Sequence, residues 1–412
     1  MFLMVMSLAG NYIASFATFP YLTRVLGPEH FGLLAYAMSI AAYGALLSEW
    51  GFSLSGPRAV VACRSNREAT NHLIWSVIGG KALICAICTA FLLGYIALGT
   101  GTRDSQIVLL VSWSGVAANV CTVYWLFQGL EKFNLISALV FSNRLVTVPL
   151  TFFLVKKPDD ICIAAAIQAT GPIVAAFISL LIAYKEGYIG RPVLKISSIM
   201  KQLRDGTDMF VATASVTLFG SANSVILMHF SGAYAAGIYA GADKIRVVAN
   251  LVPAQISAVV YPRIERLLRS DRRVAAKLIV YGVSATAIIS AATVSVIAIN
   301  SDLIVRIVLG AAFQGAGNVL FVLCFSAIFG NLAYFIGLQI LVPSGASRKR
   351  SVSIFVAGLI NITLSLAMVP KLGAKGAAEA FVISEAIIFM IYVALIFWNE
   401  RSRRILSLFS FK

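Results

Sequence analysis

Residues 1–23, 82–102, 161–184 and 278–301 contain no Asp, Glu, Lys or Arg, and residues 307–347 continue uncharged for 41 positions. Runs of this length fit a bilayer, because about 20 apolar residues in a helix cross its roughly 30 Å hydrocarbon layer. Backbone polar groups in lipid must pair with one another, so only helices or closed barrels can span it. Barrel strands alternate polar and apolar residues in pieces of about ten; these runs are longer and do not alternate. Composition agrees: 59% of residues are apolar, 12% are charged, and the mean hydropathy is +0.89, outside the range of soluble domains. The expected fold class is an all-α membrane protein.

The pattern predicts about twelve transmembrane helices, near residues 2–22, 31–55, 72–98, 106–129, 134–155, 160–184, 207–229, 236–261, 275–299, 316–341, 351–369 and 377–398. The 41-residue run is too long for one span, so residues 309–313 are expected to approach the membrane before a helix starts near Gly315. The long run at 209–242 is divided at Ser231-Gly232-Ala233. With both termini inside, inner segments hold 22 of the 33 Lys and Arg and outer segments seven, while Lys81, Arg144, Lys244 and Arg246 fall within spans. Cytoplasmic loops normally carry the positive excess, so this asymmetry predicts cytoplasmic termini and an even number of spans. The net charge of +16 is thereby explained by orientation and by contact with anionic lipid. Nucleic acid is not an expected partner, since the basic residues form no soluble module.

A duplication cuts the chain in two. Pro57-Arg58, five residues and Arg64-Ser65-Asn66-Arg67 recur as Pro262-Arg263, five residues and Arg269-Ser270-Asp271-Arg272, an offset of 205 that also carries Gly27, Gly32 and Ala35 onto Gly232, Gly237 and Ala240. One register held over some forty residues predicts structurally equivalent halves. The expected domains are a six-helix lobe at 1–190, a cytoplasmic linker at 191–206, a second six-helix lobe at 207–400 and a short basic cytoplasmic tail at 401–412. Six spans per half make the repeats parallel, related by an axis along the membrane normal. Both motif copies follow the second span of a half, where they are expected to serve as inner-gate and orientation elements rather than as a binding motif.

No sequence motif announces an enzyme. Cys85 and Cys88 form a C-x-x-C inside an apolar helix, where packing is the expected role. His30, His72 and His229 are too scattered for a zinc site, and phosphate-loop and nucleophile-elbow patterns are missing. The N-terminal run lacks a positive n-region and is longer than a usual h-region, so it reads as an uncleaved first span. The candidate residues are instead the ionisable ones inside spans, each costly in lipid unless it faces a cavity or a partner. Arg24, Arg144, Lys244 and Arg246 are candidate cavity cations; Glu49, Asp243 and Glu385 are candidate ion-coupling acids; Glu379 lies in the same span as Glu385. Asp243 and Arg246, three apart, can pair on one helix face, and Lys81 can snorkel to the inner interface. Buried cations suit an anion, and phosphate or diphosphate best, since Arg offers a planar fork of donors and Lys a point charge.

Four segments carry a family resemblance. Residues 21–33, Tyr-Leu-Thr-Arg-Val-Leu-Gly-Pro-Glu-His-Phe-Gly-Leu, resemble the first-hairpin segment of the polysaccharide transporter family, the Wzx-type flippases of O-antigen and exopolysaccharide repeat units within the multidrug/oligosaccharidyl-lipid/polysaccharide (MOP) superfamily. Tyr-Trp-Leu-Phe-Gln-Gly-Leu-Glu at 124–131, Gly-Ile-Tyr-Ala-Gly-Ala-Asp-Lys-Ile at 237–245 and Gly-Ala-Lys-Gly-Ala-Ala at 373–378 are similar to later family segments, in order along the whole chain. The resemblance implies two six-helix lobes forming a V around a hydrated cavity, in a bacterial inner membrane. It further implies alternating access for a polyprenyl-diphosphate-linked glycan, whose sugars and diphosphate cannot cross hydrocarbon unaided. No cofactor is implied beyond a proton or sodium gradient; a polysaccharide polymerase and chain-length proteins are implied partners beside membrane lipid. By position in this sequence, Arg24, Arg144, Lys244 and Arg246 would attract the diphosphate or acidic sugars. Glu49, Asp243 or Glu385 would couple to the ion, and Tyr36, Tyr124, Trp125 and Tyr239 would stack on sugars unless they serve packing. The chain departs from the family pattern in starting almost at once with the first span, without the usual short basic leader, which leaves the true start open.

Three other readings compete. An ion-coupled multidrug or metabolite antiporter of the same superfamily would rely more on buried acids than on cations. A major-facilitator carrier would show G-x-x-x-D-R-x-G-R after span 2, where residues 56–62 read Gly-Pro-Arg-Ala-Val-Val-Ala. A membrane-embedded glycan polymerase or ligase would carry a large outer loop, and no large outer loop is predicted here.

Overall fold

The computed structural model describes residues 2–99 and 101–398, with side chains described from residue 17 onward except at 211, 212 and 215–219. The basic tail expected at 401–412 lies outside these residues. The chain runs through α1 (Phe2–Glu49), α2 (Phe52–Cys63), α3 (Arg67–Ala97), α4 (Arg103–Val120), α5 (Tyr124–Gly129), α6 (Phe133–Leu154), α7 (Ile161–Lys185), α8 (Ile196–Ala249), α9 (Leu251–Ser270), α10 (Arg272–Val308), α11 (Ala316–Cys324), α12 (Ser326–Ile336) and α13 (Ser347–Trp398). The segment expected as a linker at 191–206 is already helical from Ile196. Contacts divide the chain into two compact units, Met1–Thr217 and Leu218–Lys412.

Nine helical stretches among the described residues are long and apolar enough to cross a membrane, and three of them, Ala17–Cys63, Gly220–Ser270 and Ser347–Trp398, run for 47, 51 and 52 residues. Within these three the sequence predicted loops, at 23–30, 230–235 and 370–376. The structure has none there. Helix continues on both sides of a single non-helical glycine: Gly27 (φ 68°, ψ 174°), Gly232 (φ 81°, ψ 177°) and Gly373 (φ 54°, ψ −135°). Such dihedrals are open essentially to glycine alone, so the backbone kinks within one residue and needs no loop. Gly27 and Gly232 are also the pair that the 205-residue offset superposes, and they share one conformation.

The duplicated Arg-Ser-x-Arg motif is a helix start. The Asn66 side chain accepts a hydrogen bond from the Ala69 amide and caps α3, and Asp271 accepts from the Arg273 and Val274 amides and caps α10. Both residues satisfy amides that the first turn of a helix leaves orphaned.

In the first unit α4 packs on α7 and α1, and α1 also packs on α6. Its core gathers Phe52, Val60, Ile74, Val77, Leu126 and Phe127. The short α5 reaches this core because Gly129 lies directly on Val60, where a Cβ would come within 2.6 Å of that side chain. In the second unit α10 packs on α9, α11 and α12, while α13 packs on α11 and α12; the Phe335 ring sits on Gly282, leaving no space for a Cβ. Close approach over small residues is how helices associate in lipid, where apolar burial supplies little drive. Large apolar side chains accordingly remain outside, among them Phe91, Leu98, Phe153, Val259, Tyr281 and Ile299.

Candidate functional site

The second unit gathers four of the sequence candidates. After Gly232, α8 presents Tyr239, Asp243 and Arg246 at spacings of four and three, which places them on one face. Arg246 Nη2 lies 2.7 Å from Asp243 Oδ1, and its Nε donates to the same oxygen at 2.8 Å. The guanidinium carbon stands 4.4 Å from the centroid of the Phe381 ring on α13, a cation–π contact. Glu385, one turn beyond Phe381, holds its carboxylate against Gly330 of α12, where a Cβ would lie 2.9 Å from Oε2. Arg246 is thus held between an acid and an aromatic face, with 14% of its side chain exposed. Lys244 does not join them; it is exposed on the other side of the helix.

The first unit carries Arg24, Arg144 and Glu49. Arg24 is exposed, three residues before the kink at Gly27, and Arg144 is half-buried in the middle of α6. Glu49, at the end of α1, pairs with Lys81 of α3 at 2.6 Å, with the lysine side chain 2% and the glutamate 23% exposed. The contact is one of charges, since Nζ makes no hydrogen bond of good geometry. Lys81 therefore does not take the snorkelling course open to it: an ammonium buried this deeply takes a counter-charge instead. Glu379 pairs at the surface with Lys375 at 3.8 Å.

The candidate aromatic residues are mostly enclosed. Trp125 is 2% exposed and its indole packs on Gly56, with the ring N–H unpartnered. Tyr36 is buried with its hydroxyl 3.5 Å from that of Tyr95. Tyr239 is buried and Tyr124 half-buried.

A search for charges overlooks the neutral amides. Asn223 donates to the Tyr239 hydroxyl at 2.7 Å, while Asn361 and Ser365 donate to the Asn223 carbonyl oxygen at 3.1 and 2.9 Å. This network ties α8 to α13, and none of its four residues is more than 3% exposed. Asn331 of α12 similarly donates to Ser290 at 3.0 Å and to Asn250 at 3.2 Å. Spacing was the available signal: Asn361 and Ser365 lie four apart within an apolar span, and buried amides there need partners.

Comparison with known proteins places this geometry in context. Residues 1–268 match the family described as polysaccharide biosynthesis protein. A presumed O-antigen transporter of Escherichia coli strain K12 is 28% identical over 381 residues, covering 92% of this chain and 91% of its own length; one of Shigella dysenteriae is 25% identical over 92% and 95%. Among solved structures, the lipid II flippase MurJ in an inward closed conformation superposes over 100% of this chain and 94% of its own with a TM-score of 0.79 at 16% identity. An inward-facing multidrug resistance MATE family transporter of the MOP superfamily gives 0.67 at 14% identity, over 96% and 94%.

Proposed function

The chain belongs to the polysaccharide biosynthesis protein family, and from that premise we propose that it is a flippase carrying a lipid-linked oligosaccharide across the inner membrane. One observation carries the reading: relatives named for O-antigen transport match it along 92% of its length. The fold it shares with a lipid II flippase supports the same class of cargo, a glycan on a lipid diphosphate. It is a multi-pass membrane transporter and not an enzyme. The three glycine-kinked stretches we read as two spans each, giving twelve in two six-helix lobes with both termini cytoplasmic, working by alternating access. Polymerase and chain-length proteins are the partners we expect.

The ion pair in the second unit supports a specific mechanism. Asp243 already holds two of the three guanidinium nitrogens of Arg246, so a diphosphate binding there would compete with that carboxylate. Diphosphate on Arg246 and a proton or sodium ion on Asp243 then favour one another, with Glu385 the second acid within reach. Arg24, Arg144 and Lys244 would draw the headgroup in, Glu49 stays bound to Lys81, and Tyr124 is the aromatic residue we carry forward for sugar stacking.

A deletion strain tests the function. It should accumulate lipid-linked repeat units and lose surface polymer, and the wild-type gene should restore both. Normal polymer in the deletion strain would overturn the flippase reading, and drug resistance lost in its place would favour the antiporter.

A further inference from the structure

A second polar site lies in the first unit, lined by none of the residues of the Arg246 site. The first turns of α8 dock into a groove between α2 and α3. Trp50 donates through its indole N–H to the Leu203 carbonyl at 2.9 Å and stacks on Phe210 with centroids 4.3 Å apart and planes 12° from parallel. Gly51 lies so close to this segment that a Cβ would come within 2.5 Å of the Phe210 amide nitrogen, and Gly79 meets the Ile199 side chain at 2.8 Å in the same way. Beside this docked helix a cavity of about 580 Å³ remains, within the 300–1,000 Å³ usual for ligand pockets.

Its lining is cationic with hydroxyls. Arg58 enters from α2, His72 and Ser76 from α3, Ser198 and Lys201 from α8, and Asp205 is the one acid. Arg58 belongs to the duplicated Pro-Arg motif, whose partner residues Asn66 and Asp271 are accounted for by capping while the arginine is not. The offset of 205 that carries Arg58 onto Arg263 also carries His72 onto Lys277, so both halves keep a basic or titratable pair across this turn. Met209 and Ala62 add an apolar wall. An arginine fork and a lysine point charge around an amphiphilic pocket form a donor set that recognises phosphate oxygens, while the Ser76 hydroxyl is already given to the His72 carbonyl at 2.8 Å.

We propose that this cavity binds a phosphate group, presented by an anionic membrane lipid or as a free anion, and that it is separate from the Arg246 site. The inference does not depend on the flippase reading. The purified full chain in detergent would be titrated with short-chain phosphatidylglycerol, short-chain phosphatidylcholine and inorganic phosphate while thermal stability and the modification rate of Cys63, a half-buried residue of the cavity lining, are followed. Phosphatidylglycerol should raise the melting temperature and slow Cys63 modification at least threefold while leaving Cys162 unchanged, and phosphatidylcholine should do neither. A response to inorganic phosphate of equal size assigns the site to the free anion; a response to phosphatidylglycerol alone assigns it to lipid. Arg58→Gln with Lys201→Gln should weaken the apparent affinity at least tenfold, and Arg58→Lys should retain part of it. Protection of Cys63 that is equal for phosphatidylglycerol and phosphatidylcholine, or unchanged in the double variant, would overturn the proposal.

Discussion

Single residues separate holding from handling. Lys81 and Glu49 are a buried pair at 2.6 Å, and removing one partner strands the other charge, at a cost of about 3–5 kcal/mol. Lys81→Met should therefore lower the melting temperature of the purified protein sharply, while Lys81→Met with Glu49→Gln should recover much of the loss; equal losses in the two would deny the pair a structural role. Arg246 sits in a different setting, between Asp243 and the Phe381 ring. Arg246→Ala, and likewise Arg144→Ala or Lys244→Ala, should abolish export of repeat units with normal membrane insertion, read from surface polymer and from protein level. Wild-type polymer in these variants would remove the corresponding cation from the transport path. Asp243→Asn should leave Arg246 more available to a diphosphate yet uncouple transport from the ion gradient. The sequence named these charges because charge is conspicuous in lipid. It could not say that Lys81 meets Glu49 from another helix, nor that Asn223, Asn361 and Ser365 share a network, because those partners lie far apart along the chain.

At the level of elements, the kinks and caps carry the repeat. Gly27 and Gly232 have nothing within 4 Å of a Cβ position, so alanine would meet no clash; its penalty is conformational, about 1–3 kcal/mol at dihedrals that only glycine occupies readily. Gly27→Ala and Gly232→Ala should each lower thermal stability by that order and slow export. An unchanged melting temperature would mean that the kink is not required. Asn66→Ala and Asp271→Ala should each cost about 1 kcal/mol through the lost cap, while Asp271→Asn should cost far less because asparagine caps equally well. Hydropathy located the helices on either side of each kink but turned the kinks into loops, since polar and small residues signal an interruption without revealing that helix resumes at once. The duplicated motif was legible as a repeat; its capping role became visible only with the amide donors in place.

For the whole molecule, orientation is the property most open to test. Periplasmic reporters such as alkaline phosphatase, fused after residue 66 or 271, should be inactive, and a fusion after residue 157 should be active, if the termini are cytoplasmic and each glycine-kinked stretch crosses twice. Activity after residue 66 would require Ala17–Cys63 to cross differently and would reverse the assignment. The amino-acid sequence by itself determined that this is a helical membrane protein with a twofold internal repeat, because helix-length uncharged runs have few alternatives in lipid and a shared register requires a shared structure. It also pointed to the family, since the matching segments are local and ordered along the chain. Tertiary structure alone decided which charges neutralise one another, which aromatic rings are spent on packing and where a polar cavity is left open. Those are contacts between helices, and no periodicity within one helix specifies which neighbour it will meet.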